Sequence, residues 1–186
     1  MNKVYFLLTL TLLFIFPSFV ISANSDNTFN NKDFMVSFRY PSEWTEQKAQ
    51  LDSTLILIYA SDGSDSTCNL NVGIFIDLDN LSEEELEKYR RSNHTRESFE
   101  EQFKDKFTDL KITDYWRGYL GQKYAGFAEY QYSLFISDNK IAVTSYVGAT
   151  FANGKRYVLT CNAPTGKEKS AKETFEYIRN TMLFTY

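Results

Sequence analysis

Three long segments of alternating apolar and polar residues, joined by very short connections, constrain this chain more than any other feature. They run roughly from Leu110 to Leu120, from Tyr124 to Ile136 and from Lys140 to Phe151, with about three residues between neighbours. A side-chain period of two is typical of β-strands. Because such short connections join antiparallel neighbours, the segments predict a β-meander.

The dipeptide Asn153-Gly154 adds one more strand to this meander. Both residue types tolerate the positive φ angles of a type I′ turn, which joins tightly paired strands. The segment Arg156 to Cys161 follows the turn, and Pro164-Thr165-Gly166 closes it. The second half of the chain is therefore predicted to form four consecutive antiparallel strands.

The first half of the chain contains shorter strand patterns. Phe34 to Tyr40 alternates and ends at Pro41, which has no backbone N–H to donate to a sheet. Leu55 to Ala60 and Cys68 to Asp77 lie on either side of turn-forming residues, so they predict a hairpin.

Two stretches have the periodicity of helices. Ser82, with Glu85 three residues later, fits a capping box, and no proline or glycine follows before Phe107. The apolar positions lapse at residues 92–95, which predicts a break or bend, and a final amphipathic helix is predicted over Ala171 to Leu183. The order strands, helix, strands, helix indicates an α+β fold with an antiparallel β-sheet of about six or seven strands flanked by helices.

The first 23 residues have the layout of a secretory signal peptide. Lys3 precedes an apolar run from Val4 to Ile21, and Ser22-Ala23 supply the small residues of a cleavage site. We expect cleavage after Ala23, a polar leader over residues 24–33 and a single domain over residues 34–186. An uncleaved signal anchor is the alternative, because the apolar run is close to the length of a membrane span. Cleavage would give a secreted or periplasmic protein with no stable membrane anchor.

The chain has two cysteines, Cys68 and Cys161. An oxidising compartment favours a disulfide, no other cysteine competes, and both residues lie at the ends of predicted strands. We therefore predict a Cys68–Cys161 bond, which requires the two strands to be neighbours.

Charge and residue types argue against several functions. The formal net charge of −4 offers no broad attraction to nucleic acid, so we expect no nucleic-acid partner. One histidine and two cysteines are too few soft ligands for a zinc or iron–sulfur site. The acidic run at residues 83–87 is explained by a helix start, and the glycines form no phosphate-binding loop. We expect no metal, no cofactor and no catalytic residue.

His94 is the only histidine in the chain. It stands in a polar stretch, and no pattern of a nucleophile with an orienting carboxylate accompanies it, so we expect a solvated surface side chain. Asn80 and Asn93 begin N-glycosylation sequons, which matter only in a eukaryotic secretory pathway.

The segment Phe34 to Trp44, which includes the sequence Phe-Arg-Tyr-Pro-Ser-Glu-Trp at residues 38–44, resembles the opening strand of the PsbP-like superfamily. Residues 154–160 and then 175–178 resemble that superfamily's last hairpin strand and closing helix, and residues 121–125 stand where it has a short turn. The resemblance implies an α/β/α sandwich and an accessory or binding role without a family-wide catalytic centre. Many bacterial relatives are lipoproteins, whereas this chain has no cysteine near the predicted cleavage site.

Two functions therefore remain open, with an enzyme a distant third. The first is an exported, non-catalytic accessory protein that binds an unidentified envelope or extracellular protein, with Trp116 and Tyr119 as a possible partner surface if they are not in the core. The second is a binder of a small apolar ligand or lipid between sheet and helix. A pocket lined by Tyr and Phe with a few polar groups would favour the ligand, and an exposed flat aromatic patch would favour the protein partner.

Overall fold

The computed structural model describes residues 26–75, 78, 80–104, 106–136 and 138–185. The predicted signal peptide and its cleavage site lie outside these residues. Within the described ranges, no helix combines the length and the apolar character needed to cross a bilayer.

Ten strands and three helices follow one another along the described part of the chain. In chain order they are β1 (Asn27–Asn31), β2 (Val36–Tyr40), β3 (Trp44–Gln47), β4 (Thr54–Ala60), β5 (Thr67–Ile74), α1 (Glu83–Asn93), α2 (Arg96–Phe103), β6 (Thr108–Leu120), β7 (Lys123–Ile136), β8 (Asn139–Ala152), β9 (Lys155–Pro164), α3 (Lys169–Thr181) and β10 (Leu183–Phe184).

Seven strands form one antiparallel sheet in the order β3-β4-β5-β9-β8-β7-β6. Strands β1, β2 and β10 form a second, three-stranded sheet. The α+β fold class and the predicted antiparallel sheet of about six or seven strands are confirmed. The turn between β8 and β9 has φ angles of +50° at Asn153 and +66° at Gly154, which is the backbone that the Asn-Gly dipeptide predicts.

The predicted helix over residues 82–107 is two shorter helices. Ser82 Oγ accepts from the backbone N–H of Glu85, and the backbone N–H of Ser82 donates to Glu85 Oε2, so the predicted capping box begins α1. A second capping box, between Thr95 and Ser98, begins α2. The break therefore falls where the apolar pattern lapses, because Thr95 caps a new helix there.

The large sheet forms the middle layer. Helix α3 and the small sheet pack on one face, which we call the α3 face, with a core that includes Leu70, Leu159 and Phe175. Helices α1 and α2 lie on the other face, which we call the α1/α2 face, where Phe99 packs on Ala128, Tyr130 and neighbouring residues. This arrangement is the expected α/β/α sandwich.

The predicted disulfide lies in the centre of the large sheet. Cys68 and Cys161 are directly opposite one another where β5 pairs with β9, their Cα atoms are 4.0 Å apart, and their sulfurs are bonded. Both side chains are buried on the α3 face.

Three short strands were not predicted. β1 lies in the stretch expected to be a polar leader, where Phe29 pairs with Phe38 of β2, with ring centroids 5.1 Å apart. β3 contributes one buried side chain, Trp44, and β10 pairs with β2 through only two residues. Each of these strands depends on a partner that is distant in sequence or on a single apolar contact, so local periodicity does not reveal it.

Candidate functional site

A cavity of about 240 Å³ opens on the α1/α2 face of the large sheet, beside the end of α2. We call it the aromatic groove. Its lining residues are Asn69, Asn71, Phe103, Phe107, Leu110, Tyr130, Tyr132, Ser145, Val147, Thr160 and Asn162.

The alternation of side chains along four neighbouring strands builds the floor of the aromatic groove. Asn69 of β5 stands opposite Thr160 of β9, and Asn162 of β9 stands opposite Ser145 of β8. Ser145 is in turn opposite Tyr130 of β7. Because successive strand residues point to opposite faces, the same strands present their apolar side chains to the α3 core and these polar ones to the groove.

Two aromatic side chains at the end of α2 and just beyond it form one wall. Phe103 meets Tyr130 edge to face with ring centroids 5.0 Å apart, and Phe107 stacks on Tyr132 at 4.2 Å. Such pairs stabilise by about 0.5–1.5 kcal/mol beyond the area that they bury. The segment after α2 is therefore held against the sheet by ring contacts.

Several polar groups of the floor are hydrogen-bonded, and the floor residues carry no charge. The Tyr130 hydroxyl donates to the Phe99 carbonyl at 3.0 Å, Ser145 donates to Asn162 Oδ1, and Asn162 donates to Thr67 Oγ1 at 3.3 Å. Burial raises the pKa of both Tyr130 and Tyr132 above that of a free tyrosine, so both hydroxyls are neutral near pH 7. This floor suits an uncharged or apolar group better than an ion.

A second cavity, of about 410 Å³, adjoins the aromatic groove and shares Tyr132 and Asn162 with it. We call it the apolar cleft. Its lining residues are Asp65, Thr67, Tyr132, Leu134, Ile136, Ile141, Val143, Asn162, Ala163 and Pro164. The groove and the cleft are therefore adjacent, with Tyr132 and Asn162 between them, and together we call them the depression.

The two residues predicted as a possible partner surface lie on opposite faces of the large sheet. Trp116 is partly buried, packs against the α3 core and stacks on Phe127 with ring centroids 5.5 Å apart. Tyr119 is 54% exposed and meets Tyr124 edge to face, beside the Arg91 guanidinium of α1. The structure therefore does not join Trp116 and Tyr119 in one patch, and a role for either in binding stays a prediction.

The expectation of a solvated His94 is wrong. The side chain is 2% exposed and stacks on Phe151 with ring centroids 5.4 Å apart. Burial, followed by the charges of Arg156, Arg90 and Arg117, lowers the pKa of His94 to about 4. The sequence around His94 is polar, but the turn from α1 into α2 places this residue against the sheet.

The acidic run at the start of α1 forms internal contacts. Glu83 accepts from Arg90 Nη1 and from Lys123 Nζ, each at 2.8 Å, and Arg90 is fully buried.

Among the described residues, no three His, Cys, Asp or Glu side chains are grouped closely enough to hold a metal ion. The expectation of no metal, cofactor or catalytic residue stays a prediction.

Comparison with known proteins gives matches in structure and none in sequence. No family model matches the chain, and no curated protein matches it. Cyanobacterial PsbP (CyanoP) from Synechocystis sp. PCC 6803 superimposes with a TM-score of 0.54 at 9% identity, over 89% of this chain and 96% of CyanoP. The chain has the PsbP-like fold.

Two further structures share the PsbP-like fold. The Ran-binding protein Mog1p of Saccharomyces cerevisiae matches with a TM-score of 0.55 at 9% identity, over 87% of this chain and 96% of Mog1p. LpqN of Mycobacterium tuberculosis, a protein involved in cell envelope biogenesis, matches with a TM-score of 0.51 at 11% identity, over 89% of this chain and 88% of LpqN. The resemblance to the PsbP-like superfamily is thus confirmed at the level of the fold.

Sequence reasoning missed the residues that line the aromatic groove. Asn69, Thr160 and Asn162 are polar residues within otherwise apolar strands. Polar residues on one face of a strand indicate that no helix covers the sheet there, and this signal could have predicted the groove in the PsbP-like sheet. The proximity of these three residues to Phe103 and Phe107 depends on where α2 ends. The sequence pattern extended the helix to Phe107, whereas α2 ends four residues earlier, at Phe103.

Proposed function

We propose that the protein is an exported, non-catalytic binding protein of the cell envelope or the secreted space, and that it binds a partner protein through the aromatic groove and the apolar cleft. The depression on the α1/α2 face, formed by these two adjacent cavities, carries this proposal. Its exposed apolar rim and its neutral, hydrogen-bonded floor suit an apolar segment of another protein.

The exposure of the depression favours a protein partner over a small ligand. Small-molecule sites usually enclose about 300–1,000 Å³ and cover most of the ligand, and the groove and the cleft, at about 240 Å³ and about 410 Å³, would also suit a small molecule by volume. Ile136, on the rim of the cleft, is 58% exposed. A ligand confined to the groove would leave this side chain in water, whereas a protein partner could cover it.

The wider context supports an extracytoplasmic binding role. A disulfide in the centre of the sheet suits an oxidising compartment, in agreement with the predicted signal peptide. Among proteins with the same fold, one is described as Ran-binding and another as involved in cell envelope biogenesis.

Tyr119, which is exposed beside α1, is a second proposed contact for a partner.

A small apolar ligand or lipid is the second candidate occupant. The observation in its favour is the lining of the aromatic groove, where Phe and Tyr rings surround a few polar side chains. A lipid chain that extends from the groove into the cleft would contact both sets of residues.

Site-specific photo-crosslinking in the native host distinguishes the two occupants. A photoreactive phenylalanine at Ile136 would face the apolar cleft, and the same group at Phe135 is the matched control, because Phe135 is 62% exposed but is not part of the lining. We expect an adduct with one defined protein at position 136 and not at position 135. A lipid-sized mass increase at position 136 would establish the second candidate, and identical products at both positions would contradict a site in this depression.

A groove-filling variant provides an independent test. Thr160→Trp would place an indole in the aromatic groove, and Thr45→Trp makes the same change at an exposed position of β3. We expect Thr160→Trp to reduce the crosslink at position 136 by tenfold or more, while Thr45→Trp preserves it. Equal crosslinking in both variants would show that the groove is not used.

A further inference from the structure

A third cavity, of about 180 Å³, lies at the junction of α1, α2 and the large sheet, and we call it the basic pocket. It shares no lining residue with the aromatic groove or the apolar cleft. Its lining residues are Phe75, Asn93, His94, Ser98, Gln102, Phe151 and Arg156. One water takes roughly 30 Å³ of liquid volume, so the pocket has room for a small hydrated ion.

Arg156 is a cation without an acidic partner in this pocket. Its side chain is partly buried, and burial lowers its pKa from the usual arginine value. Its guanidinium donates from Nη2 to Gln102 Oε1, a neutral acceptor. Among the described residues, no carboxylate lies within ion-pairing distance of Arg156, although partly buried arginines are normally paired.

His94 is a second polar residue of the pocket, and one of its ring nitrogens makes no hydrogen bond within the described part of the chain. Its Nε2 is buried and has no hydrogen-bond partner among the described residues. The charged groups around it are Arg90 of α1, Arg117 of β6 and Arg156 of β9, and Arg90 is itself paired with Glu83 and Glu87. The local field at the pocket is therefore positive.

The acidic side chains of α2 are directed elsewhere. Glu97, Glu100 and Glu101 line a separate cavity, together with Lys104 and Lys111. Among the residues that the structure describes, the lining of the basic pocket contains no Asp or Glu. Of these described residues, an anion in the pocket would thus contact an arginine, an imidazole and neutral side chains.

We propose that the basic pocket binds a compact oxyanion group, either a phosphate or a carboxylate, with Arg156 as the charged ligand and His94 as its neighbour. The planar guanidinium fork of arginine pairs with both kinds of group through two parallel hydrogen bonds. This site is additional to the proposed function, because the depression that would take a partner protein has different walls.

The single histidine makes the test direct. A titration of the folded protein with inorganic phosphate, and separately with acetate, is followed by the NMR signals of the His94 imidazole, against sodium chloride at matched ionic strength. We expect a saturable shift of the His94 signals with at least one oxyanion and not with chloride. Saturation by phosphate alone would identify a phosphate-type site, and saturation by acetate alone would identify a carboxylate-type site. The absence of a saturable shift with both anions would overturn the proposal.

Three arginine variants separate binding from general charge effects. Arg156→Gln should weaken the anion by at least tenfold, and Arg156→Lys, which keeps the charge but not the fork, should weaken it by a smaller factor and remains informative if the first variant does not fold. Arg39→Gln removes an exposed arginine paired with Asp26, far along the chain from the pocket, and should leave the titration unchanged. Equal affinity in the wild type and both Arg156 variants would contradict a site at this guanidinium.

The pH dependence gives a further readout of the same site. A bound anion beside His94 favours the imidazolium, so it should raise the pKa of His94 from its low value in the free protein. By linkage, sulfate, whose charge is constant in mildly acidic solution, should bind more tightly at about pH 5 than at about pH 7. A pKa of His94 that is the same with and without saturating sulfate would count against contact between them.

Discussion

Gly126 of β7 lies so close to His94 that a Cβ atom at position 126 would be 2.9 Å from the Cβ atom of His94. The same added atom would lie 2.7 Å from Phe99 Cε2, on the first turns of α2. Real Cβ contacts are longer than this. The junction between α1 and α2 therefore rests directly on the backbone of a strand, and this close approach is what buries His94.

Gly126→Ala should destabilise the protein by roughly 1–3 kcal/mol, because the added methyl group must displace His94 and Phe99 in a packed layer. Urea unfolding at neutral pH measures the change. Gly118→Ala is the matched control, since its added Cβ would lie 3.4 Å from Phe127 Cε2, and it should cost much less. Equal losses in the two variants would show that α2 adjusts without strain.

His94 should make the protein less stable in acid. Burial and then Arg156 lower the pKa of His94 to about 4 in the folded protein, against about 6.5 for a free histidine. Between these values the unfolded chain binds a proton that the folded protein does not. The corresponding stability is present above about pH 6.5 and is lost as the pH falls to about 4, by roughly 3 kcal/mol.

His94→Phe tests this dependence, because phenylalanine keeps a ring against Phe151 and cannot titrate. Urea unfolding of both proteins from about pH 7 to about pH 4 should show a steeper loss in the wild type, since the contribution of the carboxylates is common to both. Parallel curves would mean that folding does not lower the pKa of His94.

Trp116 and Tyr119 should differ in their effect on stability. Trp116→Ala removes a ring that packs on the α3 core, so we expect a loss of roughly 2–4 kcal/mol, somewhat below that of a fully buried aromatic residue. Tyr119→Ala should change the free energy of unfolding by less than about 0.5 kcal/mol. Thermal unfolding of the two variants compares them directly, and a stability-neutral Trp116→Ala would place that ring outside the core.

The disulfide should contribute substantially to stability. Cys68 and Cys161 are 93 residues apart in sequence, and a loop of this length removes roughly 4–5 kcal/mol of unfolded-state entropy in the simplest model. The double variant Cys68→Ala/Cys161→Ala should lose an amount of this order in urea unfolding, and reduction of the wild type should give a similar loss. Two titratable thiols in the unfolded, non-reduced native protein would contradict the bond.

Alternation and turn chemistry were sufficient to predict most of the fold. The segments from Thr108 to Pro164 form four strands because each alternates over its whole length and meets its neighbour through a short turn. By contrast, β1 has a single apolar residue, Phe29, and forms because Phe38 is available across the strand pair. The strand β1 therefore cannot be predicted from its own residues, because it depends on the residues of β2.

The candidate site was less predictable than the fold for a physical reason. The aromatic groove combines residues from β5, β7, β8 and β9 with two rings near the end of α2, and their proximity follows from strand order. A linear pattern gives the face on which a residue lies, but not which distant strand is beside it. Trp116 and Tyr119 are a different case, because they are three residues apart in a regular part of β6 and alternation alone places them on opposite faces.

The order of strands in the large sheet divides the domain into two locally built parts. β3, β4 and β5 pair in sequence, as do β6, β7, β8 and β9, so the β5–β9 pairing joins the two parts within the large sheet, and the β2–β10 pairing joins them in the small sheet. The disulfide crosses the β5–β9 pairing, and α1 and α2 lie in the connection between the two parts. A chain cut in this connection would give two fragments, each with its own meander, that stay joined by the Cys68–Cys161 bond and by the β2–β10 pairing.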